Sequence, residues 1–166
     1  MEILTFRAES AARHCAARGG TLVVDEIYQG LCYGAPADTV LRHGDEAVVI
    51  NSFSKYFGMT GWRLGWLIVP DQAVDPLIRI AQNLFICPSV VAQAAAVAAF
   101  YEEAIEEADR RSIDLAQKRR LMSEGLEAMG FTIPANPDGA FYLFAGVPAG
   151  APDAEAFCEQ ALQQVG

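Results

Sequence analysis

The segment Asn51-Ser-Phe-Ser-Lys-Tyr-Phe-Gly-Met-Thr-Gly-Trp-Arg-Leu-Gly65 holds two serines, one lysine, one arginine and three glycines within fifteen residues. It follows Glu46-Ala-Val-Val-Ile50, a short apolar and β-branched run that predicts a buried strand. Polar side chains therefore emerge where a strand ends, which is the place where the sheets of α/β proteins bind ligands. This composition is typical of a functional site and not of a core.

The polar side chains of this segment suit a phosphate group. Ser52 and Ser54 can each donate an O–H, and Arg63 offers a rigid fork of N–H donors that matches phosphate oxygens. The glycines permit turns and a close approach of the backbone to a ligand. Lys55 is not needed for this purpose, so we assign its amine to the chemistry.

A lysine beside a phosphate site suggests an imine with pyridoxal phosphate, whose pyridine nitrogen a protein keeps protonated with a carboxylate. The run Thr21-Leu-Val-Val-Asp-Glu-Ile-Tyr28 supplies that carboxylate, because an apolar stretch ends at Asp25 and Tyr28 follows three residues later. Taken singly, Asp25 would be a turn residue, Tyr28 a packing residue and Lys55 a solvated lysine. Only their joint pattern indicates a cofactor site.

Asp25-Glu-Ile-Tyr28 and the segment from Ser52 to Gly65 together resemble the signature of the class I/II aminotransferases, which are fold type I pyridoxal-phosphate enzymes. The resemblance implies an α/β fold in which residues 1–104 form part of the cofactor-binding large domain, a mostly parallel sheet with helices on both faces. Residues 105–166 would then form the linking helix and part of an α+β small domain.

The resemblance also implies a role for each matched residue. Lys55 would form the internal aldimine with pyridoxal 5′-phosphate and, once released, would act as the general base and acid of amino transfer. Asp25 would pair with the pyridinium nitrogen, and Tyr28 would hydrogen-bond the phenolic oxygen of the ring. The residues expected to hold the phosphate are Ser52, Ser54 and Arg63.

The implied activity is the transfer of an amino group between an amino acid and a 2-oxo acid by a cytoplasmic homodimer. Two other interpretations stay open: another fold type I enzyme, such as a carbon–sulfur lyase or a decarboxylase, and a non-catalytic module for regulation or dimerisation. Pro137-Asp-Gly-Ala-Phe-Tyr-Leu143 resembles the family's entry into the small domain, which places Tyr142 near the substrate. An aromatic residue in such a strand is more often a core residue, and we favour that interpretation of Tyr142.

The chain is short for this family. The resemblance implies a protomer more than twice as long as these 166 residues, with an Asn-Pro-x-Gly turn and a carboxylate-binding arginine that the sequence lacks. We therefore expect the chain alone to bind the cofactor weakly, to lack sustained amino-transfer activity and to self-associate through exposed sheet edges.

Composition argues against several other functions. A net charge of −9 argues against nucleic acid and anionic membrane surfaces as partners. With only two histidines in the sequence, no metal is expected. The first residues lack the pattern of a targeting signal. Neither a zinc site nor a disulfide framework is predicted by the irregular spacing of Cys15, Cys32, Cys87 and Cys158.

Periodicity and breaker residues predict the elements around the site. We expect helices over residues 8–18, 71–86, 89–101, 102–129 and 152–165, a helical turn over 39–43, and strands over 21–24, 46–50, 65–70, 131–133 and 140–144. The alanine-rich helix over 89–101 is apolar on nearly every side, so it is expected to be buried.

Overall fold

The computed structural model describes residues 2–35, 37–135, 137–151 and 153–165, with side chains from residue 9 onward. The strands within these residues are β1 (Val23–Asp25), β2 (Val48–Ser52) and β3 (Gly65–Ile68). The α-helices are α1 (Glu2–Ala16), α2 (Asp71–Leu84), α3 (Val90–Ala98), α4 (Glu102–Ala128) and α5 (Ala154–Val165). Short 3₁₀ turns span Val40–His43 and Thr60–Trp62.

The chain divides into two compact units, Met1–Ser112 and Ile113–Gly166, and the division falls inside α4. All three strands, and with them the segment from Asn51 to Gly65, belong to the first unit. The assignment of residues 1–104 and 105–166 to a large and a small domain stays a prediction.

The sheet has the order β1-β2-β3, with β1 and β2 parallel and β2 and β3 antiparallel. In the parallel pair Asp25 lies beside Ile50, so β1 and β2 end at the same edge of the sheet. β3 runs antiparallel to β2, and residues 53–64, which include the 3₁₀ turn Thr60–Trp62, connect the two strands. The register places Ser52 opposite Gly65, where this connection begins and ends. The polar residues that end β1 and β2 are therefore delivered to one edge.

Two apolar clusters hold these strands. The first surrounds Val49, which is the largest completely buried side chain in the described part of the chain. The second consists of Phe53, Met59 and Ala96, and so joins the turn after β2 to α3. The centroids of the Phe53 and Trp66 rings are 5.0 Å apart in the edge-to-face geometry that aromatic pairs favour. This packing fixes the path of the turn after β2.

Most of the predicted elements are confirmed, with shifted ends. The strands predicted over 21–24, 46–50 and 65–70 correspond to β1, β2 and β3. α1 begins at Glu2, well before the predicted start, and it ends before Gly19, whose φ of +65° suits a helix stop. α5 begins at Ala154, and its expected start at Pro152 lies outside the described residues.

α3 is not the buried helix that its composition predicts. Ala92 and Ala96 are buried, but Val90, Val91 and Val97 are exposed. Burial of a helix that is apolar on every side requires covering surface on every side. The described residues cover one face of α3, so the prediction of full burial is wrong for this chain.

The strands predicted over 131–133 and 140–144 are not found among the described residues. An isolated bridge between Thr132 and Gly146 is found in that region. Ala140 has a φ of +62°, which breaks an extended path at the point where the second strand is expected to start. The alternation of residue types is therefore not sufficient for a ladder in this part of the chain.

In the described part of the chain, no helix has both the length and the apolar composition that crossing a bilayer requires. Across the same residues, no three or more acidic, histidine or cysteine side chains are grouped so that they could hold a metal ion.

Candidate active site

Asp25 ends β1 and begins the turn that carries Tyr28. Its Oδ1 atom accepts a hydrogen bond from the backbone N–H of Ile27 at 3.0 Å, an arrangement that mimics a backbone turn. A carboxylate can accept several hydrogen bonds, so this contact orients Asp25 without exhausting it. The carboxylate predicted to serve a pyridine nitrogen is thus held at the end of the strand next to β2.

The structure brings Lys55 and Tyr28 together. The Lys55 Nζ atom lies 5.4 Å from the centroid of the Tyr28 ring, within the range of a cation–π contact. The backbone N–H of Gly58 donates to the Lys55 carbonyl at 3.0 Å, which closes a tight turn after β2. Gly58 has a φ of +67°, a conformation that glycine adopts without a steric penalty. The amine and the phenol predicted to serve one cofactor therefore lie close to each other.

Ser52 and Ser54 form a small hydrogen-bonded network. The Ser52 hydroxyl lies 2.9 Å from the Ser54 hydroxyl and 3.1 Å from the Leu64 carbonyl oxygen, and it accepts from the Ser54 N–H at 3.0 Å. A hydroxyl has a single proton, which Ser52 gives either to Ser54 or to Leu64. When Ser52 donates to Ser54, the Ser54 proton is directed to another acceptor. Ser54 is therefore the better placed of the two to donate to a bound phosphate.

The turn beyond Lys55 fixes Arg63. The Thr60 hydroxyl donates to the Ser54 carbonyl at 2.6 Å, and Arg63 Nη1 donates to the Thr60 carbonyl at 2.8 Å. Arg63 has a φ of 55° and a ψ of 52°, a left-handed conformation that costs a non-glycine residue about 1–3 kcal/mol. The remaining N–H donors of its guanidinium suit an anion. Thr60 contributes to this arrangement, although the sequence analysis did not single it out.

Gly65 is required by the close approach of β2. A Cβ atom at this position would lie 2.6 Å from the Asn51 carbonyl oxygen and 3.4 Å from the Ser52 Cα atom. These atoms belong to the backbone of the paired strand, so they cannot move aside as a flexible side chain can. Asn51 Oδ1 in turn accepts from the Ser52 N–H at 2.8 Å. The glycine thus lets β3 hold the strand end that presents the serines.

Glu26, which follows Asp25, is the buried charged residue among those described. Its Oε1 atom accepts from the Val40 N–H at 2.8 Å, and its own N–H donates to the Ile50 carbonyl at 2.9 Å. Glu26 therefore ties the end of β1 to β2 and to the 3₁₀ turn. The sequence did not predict this role, because it depends on the contact of Glu26 with Val40, fourteen residues away.

Tyr142 lies in the second unit, Ile113–Gly166, and is 60% exposed. Its ring centroid lies 6.0 Å from that of Phe141, in an edge-to-face contact. The interpretation of Tyr142 as a core residue is wrong for this chain, because the strand that was expected to carry it does not form. Its proximity to a substrate stays a prediction.

The model of the family "Aminotransferase class I and II" matches residues 8–166. The chain belongs to this family. One relative, the valine–pyruvate aminotransferase of Mycobacterium tuberculosis, is 46% identical over 157 residues, which are 93% of this chain and 40% of the relative. The resemblance inferred from Asp25, Tyr28 and the segment from Ser52 to Gly65 is thereby confirmed at the level of the family.

Solved structures show the same fold. A crystal structure of an aminotransferase from Mycobacterium tuberculosis matches with a TM-score of 0.87 at 44% identity, over 96% of this chain and 42% of that one. The structure of a tetra mutant of the Thermus thermophilus aspartate aminotransferase also matches with a TM-score of 0.87, at 30% identity, over 94% of this chain and 44% of that one. The chain therefore has part of the fold type I architecture, and it spans 40% to 44% of the length of these relatives.

Proposed function

We propose that this chain carries the lysine centre of a pyridoxal-phosphate-dependent aminotransferase, which transfers an amino group between an amino acid and a 2-oxo acid. The position of Lys55 carries the proposal, because its amine lies 5.4 Å from the Tyr28 ring, near the strand ends that present Asp25 and Ser52. The names of the relatives support the reaction class, since one is a valine–pyruvate aminotransferase and another an aspartate aminotransferase.

The donor chemistry of the described residues fits pyridoxal 5′-phosphate. A phosphate needs O–H and N–H donors, which Ser54 and Arg63 supply. A pyridine nitrogen needs a carboxylate to keep its proton, and Asp25 supplies one from the neighbouring strand. An aldehyde needs an amine, and Lys55, which follows Ser54 in the sequence, offers one beside the Tyr28 ring.

When bound, the cofactor supplies an electron sink for the charge that develops at the α-carbon of the substrate. Asp25 would hold the proton on the pyridine nitrogen, because an adjacent carboxylate favours the cationic form of that group. Ser54 and Arg63 would hold the phosphate and so orient the ring. Lys55 Nζ would hold the cofactor through its aldehyde carbon and, once the amino substrate has displaced it, would move a proton between the substrate α-carbon and C4′ of the cofactor. Tyr28, whose ring lies 5.4 Å from the Lys55 amine, would hydrogen-bond the phenolic oxygen of the cofactor ring.

Trapping with sodium borohydride tests the assignment of Lys55. The chain is incubated with pyridoxal 5′-phosphate, reduced and digested, and the modified lysine is located by mass spectrometry. We expect the adduct on Lys55, with Lys118 as the internal reference, because it is the other lysine of the sequence and pairs with Asp114 at 2.6 Å on α4. Arg63→Ala should lower the labelled fraction at limiting cofactor. Preferential labelling of Lys118 would contradict the proposal.

We extend the proposal to the intact protein as a homodimer in the cytoplasm. The support is the resemblance of the segment from Ser52 to Gly65 to the class I/II aminotransferases. Light scattering on the full-length protein tests the dimer, and a monomer at micromolar concentration would contradict it.

A further inference from the structure

Tyr56, the residue after Lys55, is held by two other segments of the first unit. Its hydroxyl donates to Asp109 Oδ1 in α4 at 2.6 Å. Its ring packs on the backbone of Gly30, where an added Cβ atom would lie 2.6 Å from the Tyr56 Cβ and Cδ2 atoms. Because Gly30 belongs to the turn that carries Tyr28, a single side chain contacts both that turn and α4.

α4 makes a second contact with the turn that begins at Lys55. A Cβ atom added at Gly58 would lie 3.2 Å from Arg111 Cζ, so the guanidinium lies over the Gly58 backbone. Arg111 is oriented by Glu107, whose carbonyl oxygen accepts from Arg111 Nε at 3.3 Å. The Lys55 turn is therefore contacted twice from the same helix, through Asp109 and through Arg111.

The Tyr56 phenol keeps the proton that this hydrogen bond requires. Burial, followed by the hydrogen bond and the negative charge of Asp109, raises the pKa of Tyr56 to about 12, and the nearby Arg111 opposes this effect. The phenol therefore stays protonated at neutral pH and remains a donor. A hydrogen bond from a hydroxyl to a carboxylate is shorter and stronger than one between neutral groups.

We propose that Tyr56 and Asp109 are a positioning pair, which holds the Lys55 turn against the Tyr28 turn and so keeps the Lys55 amine over the Tyr28 ring. Lys55 and Tyr56 share a peptide bond, so fixing the Tyr56 ring and hydroxyl limits the backbone freedom of Lys55. A small displacement of a reacting group slows catalysis, so a pair that holds Lys55 in place supports turnover. This benefit for catalysis rests on the proposed function, whereas the effect of the pair on the conformation of the turn does not.

Hydrogen–deuterium exchange of the cofactor-free chain tests the effect on the turn. Tyr56→Phe removes the hydroxyl but keeps the ring, and Asp109→Ala removes the acceptor from an exposed position of α4. Both should raise the exchange rates of the Gly58 and Met59 amides, which close the turn, by about tenfold. Asp109→Asn keeps an oxygen acceptor and should restore most of the protection. Glu106→Ala, an exposed change on the same helix, is the control and should match the parent chain.

Reductive trapping with pyridoxal 5′-phosphate tests whether the Lys55 amine is held in place. The ratio of label on Lys55 to label on Lys118 should fall by about fivefold to tenfold in Tyr56→Phe and in Asp109→Ala. It should recover in Asp109→Asn. Faster exchange of the turn without a lower ratio would refute the role in positioning Lys55, and unchanged values of both would refute the pair.

The two measurements separate this inference from the proposed function. If the parent chain is not labelled at Lys55, the cofactor assignment fails, and the exchange rates still decide whether Tyr56 and Asp109 hold the turn. If the parent is labelled at Lys55 and both variants match it, the cofactor assignment stands and the positioning pair is refuted. Should Tyr56→Phe fail to fold, Asp109→Ala at its exposed helix position carries the same test.

Discussion

Ser52→Ala should destabilise the first unit, and the loss can be worked out from three hydrogen bonds. The Ser52 hydroxyl accepts from the Ser54 N–H at 3.0 Å and donates either to the Leu64 carbonyl at 3.1 Å or to the Ser54 hydroxyl at 2.9 Å, so two bonds are lost together. At about 0.5–1.5 kcal/mol for each net hydrogen bond, the loss is about 1–3 kcal/mol. The Leu64 carbonyl keeps the Phe53 N–H at 3.1 Å as a second donor. We therefore expect the lower half of the range, about 1–2 kcal/mol.

Ser54→Ala is the matched control, because it removes the same group two residues further along the chain. It loses the contact with the Ser52 hydroxyl, which can donate to Leu64 instead, so we expect a loss of about 0.5 kcal/mol. For the affinity of the chain for pyridoxal 5′-phosphate, the order of the two variants should be the reverse of their order in lost stability. Ser54→Ala should weaken binding more than Ser52→Ala, because the Ser52 proton is used inside the protein.

Urea unfolding measures both losses. The two tryptophans of the sequence, Trp62 and Trp66, lie in the first unit, so their fluorescence reports the unfolding of the segment that contains Ser52. A shift in the midpoint at constant slope gives the change in the free energy of unfolding. Cofactor affinity follows from an absorbance titration. The hydrogen-bond reasoning is refuted if Ser54→Ala destabilises the chain as much as Ser52→Ala does.

Three further outcomes can be measured on the same chain. Gly65→Ala should lower the free energy of unfolding by about 1–3 kcal/mol, because its Cβ atom would lie 2.6 Å from the Asn51 carbonyl oxygen, and an unchanged urea midpoint would contradict this. The pKa of Tyr56 is raised on folding from 10.0 to about 12, so the stability it contributes is complete below pH 10 and is lost as the pH rises to about 12. Tyr56→Phe should lack this component in pH-dependent urea unfolding, and identical profiles would contradict the assignment. Self-association should be detected by light scattering, because Leu84 and Ile86 are 76% and 79% exposed, and a monodisperse parent chain would exclude it.

Local patterns of residue types are sufficient to predict the helices and strands that surround the candidate site. α4 follows from a long run of strong helix formers, and the strands of the sheet follow from short apolar runs bounded by turn residues. The family follows from residue types at a fixed spacing, because Asp25, Lys55 and Arg63 are recognised by their order along the chain. These features need no knowledge of contacts between distant residues.

Burial and strand pairing do not follow from local patterns. The apolar composition of α3 predicts a buried helix, but the described residues cover one face and leave Val90 and Val97 exposed. The residue types over 131–133 and 140–144 predict strands, but a strand needs a partner, and the left-handed Ala140 interrupts the extended path. In both cases the outcome depends on which surface lies opposite, and the residues of the element itself do not specify that surface.

The sequence by itself determined the family of this chain and predicted its cofactor, because hydroxyls, a guanidinium, an amine and a carboxylate follow strands at the spacing typical of that family. Only the tertiary structure decided which of these groups meet and what holds them. Lys55 lies near Tyr28, and Tyr56 is bonded to Asp109, which is 53 residues away in sequence. Closing such a loop costs entropy, and burial elsewhere in the chain must offset that cost. Such a contact depends on the packing of the whole first unit, so the residue types around Tyr56 or Asp109 do not predict it.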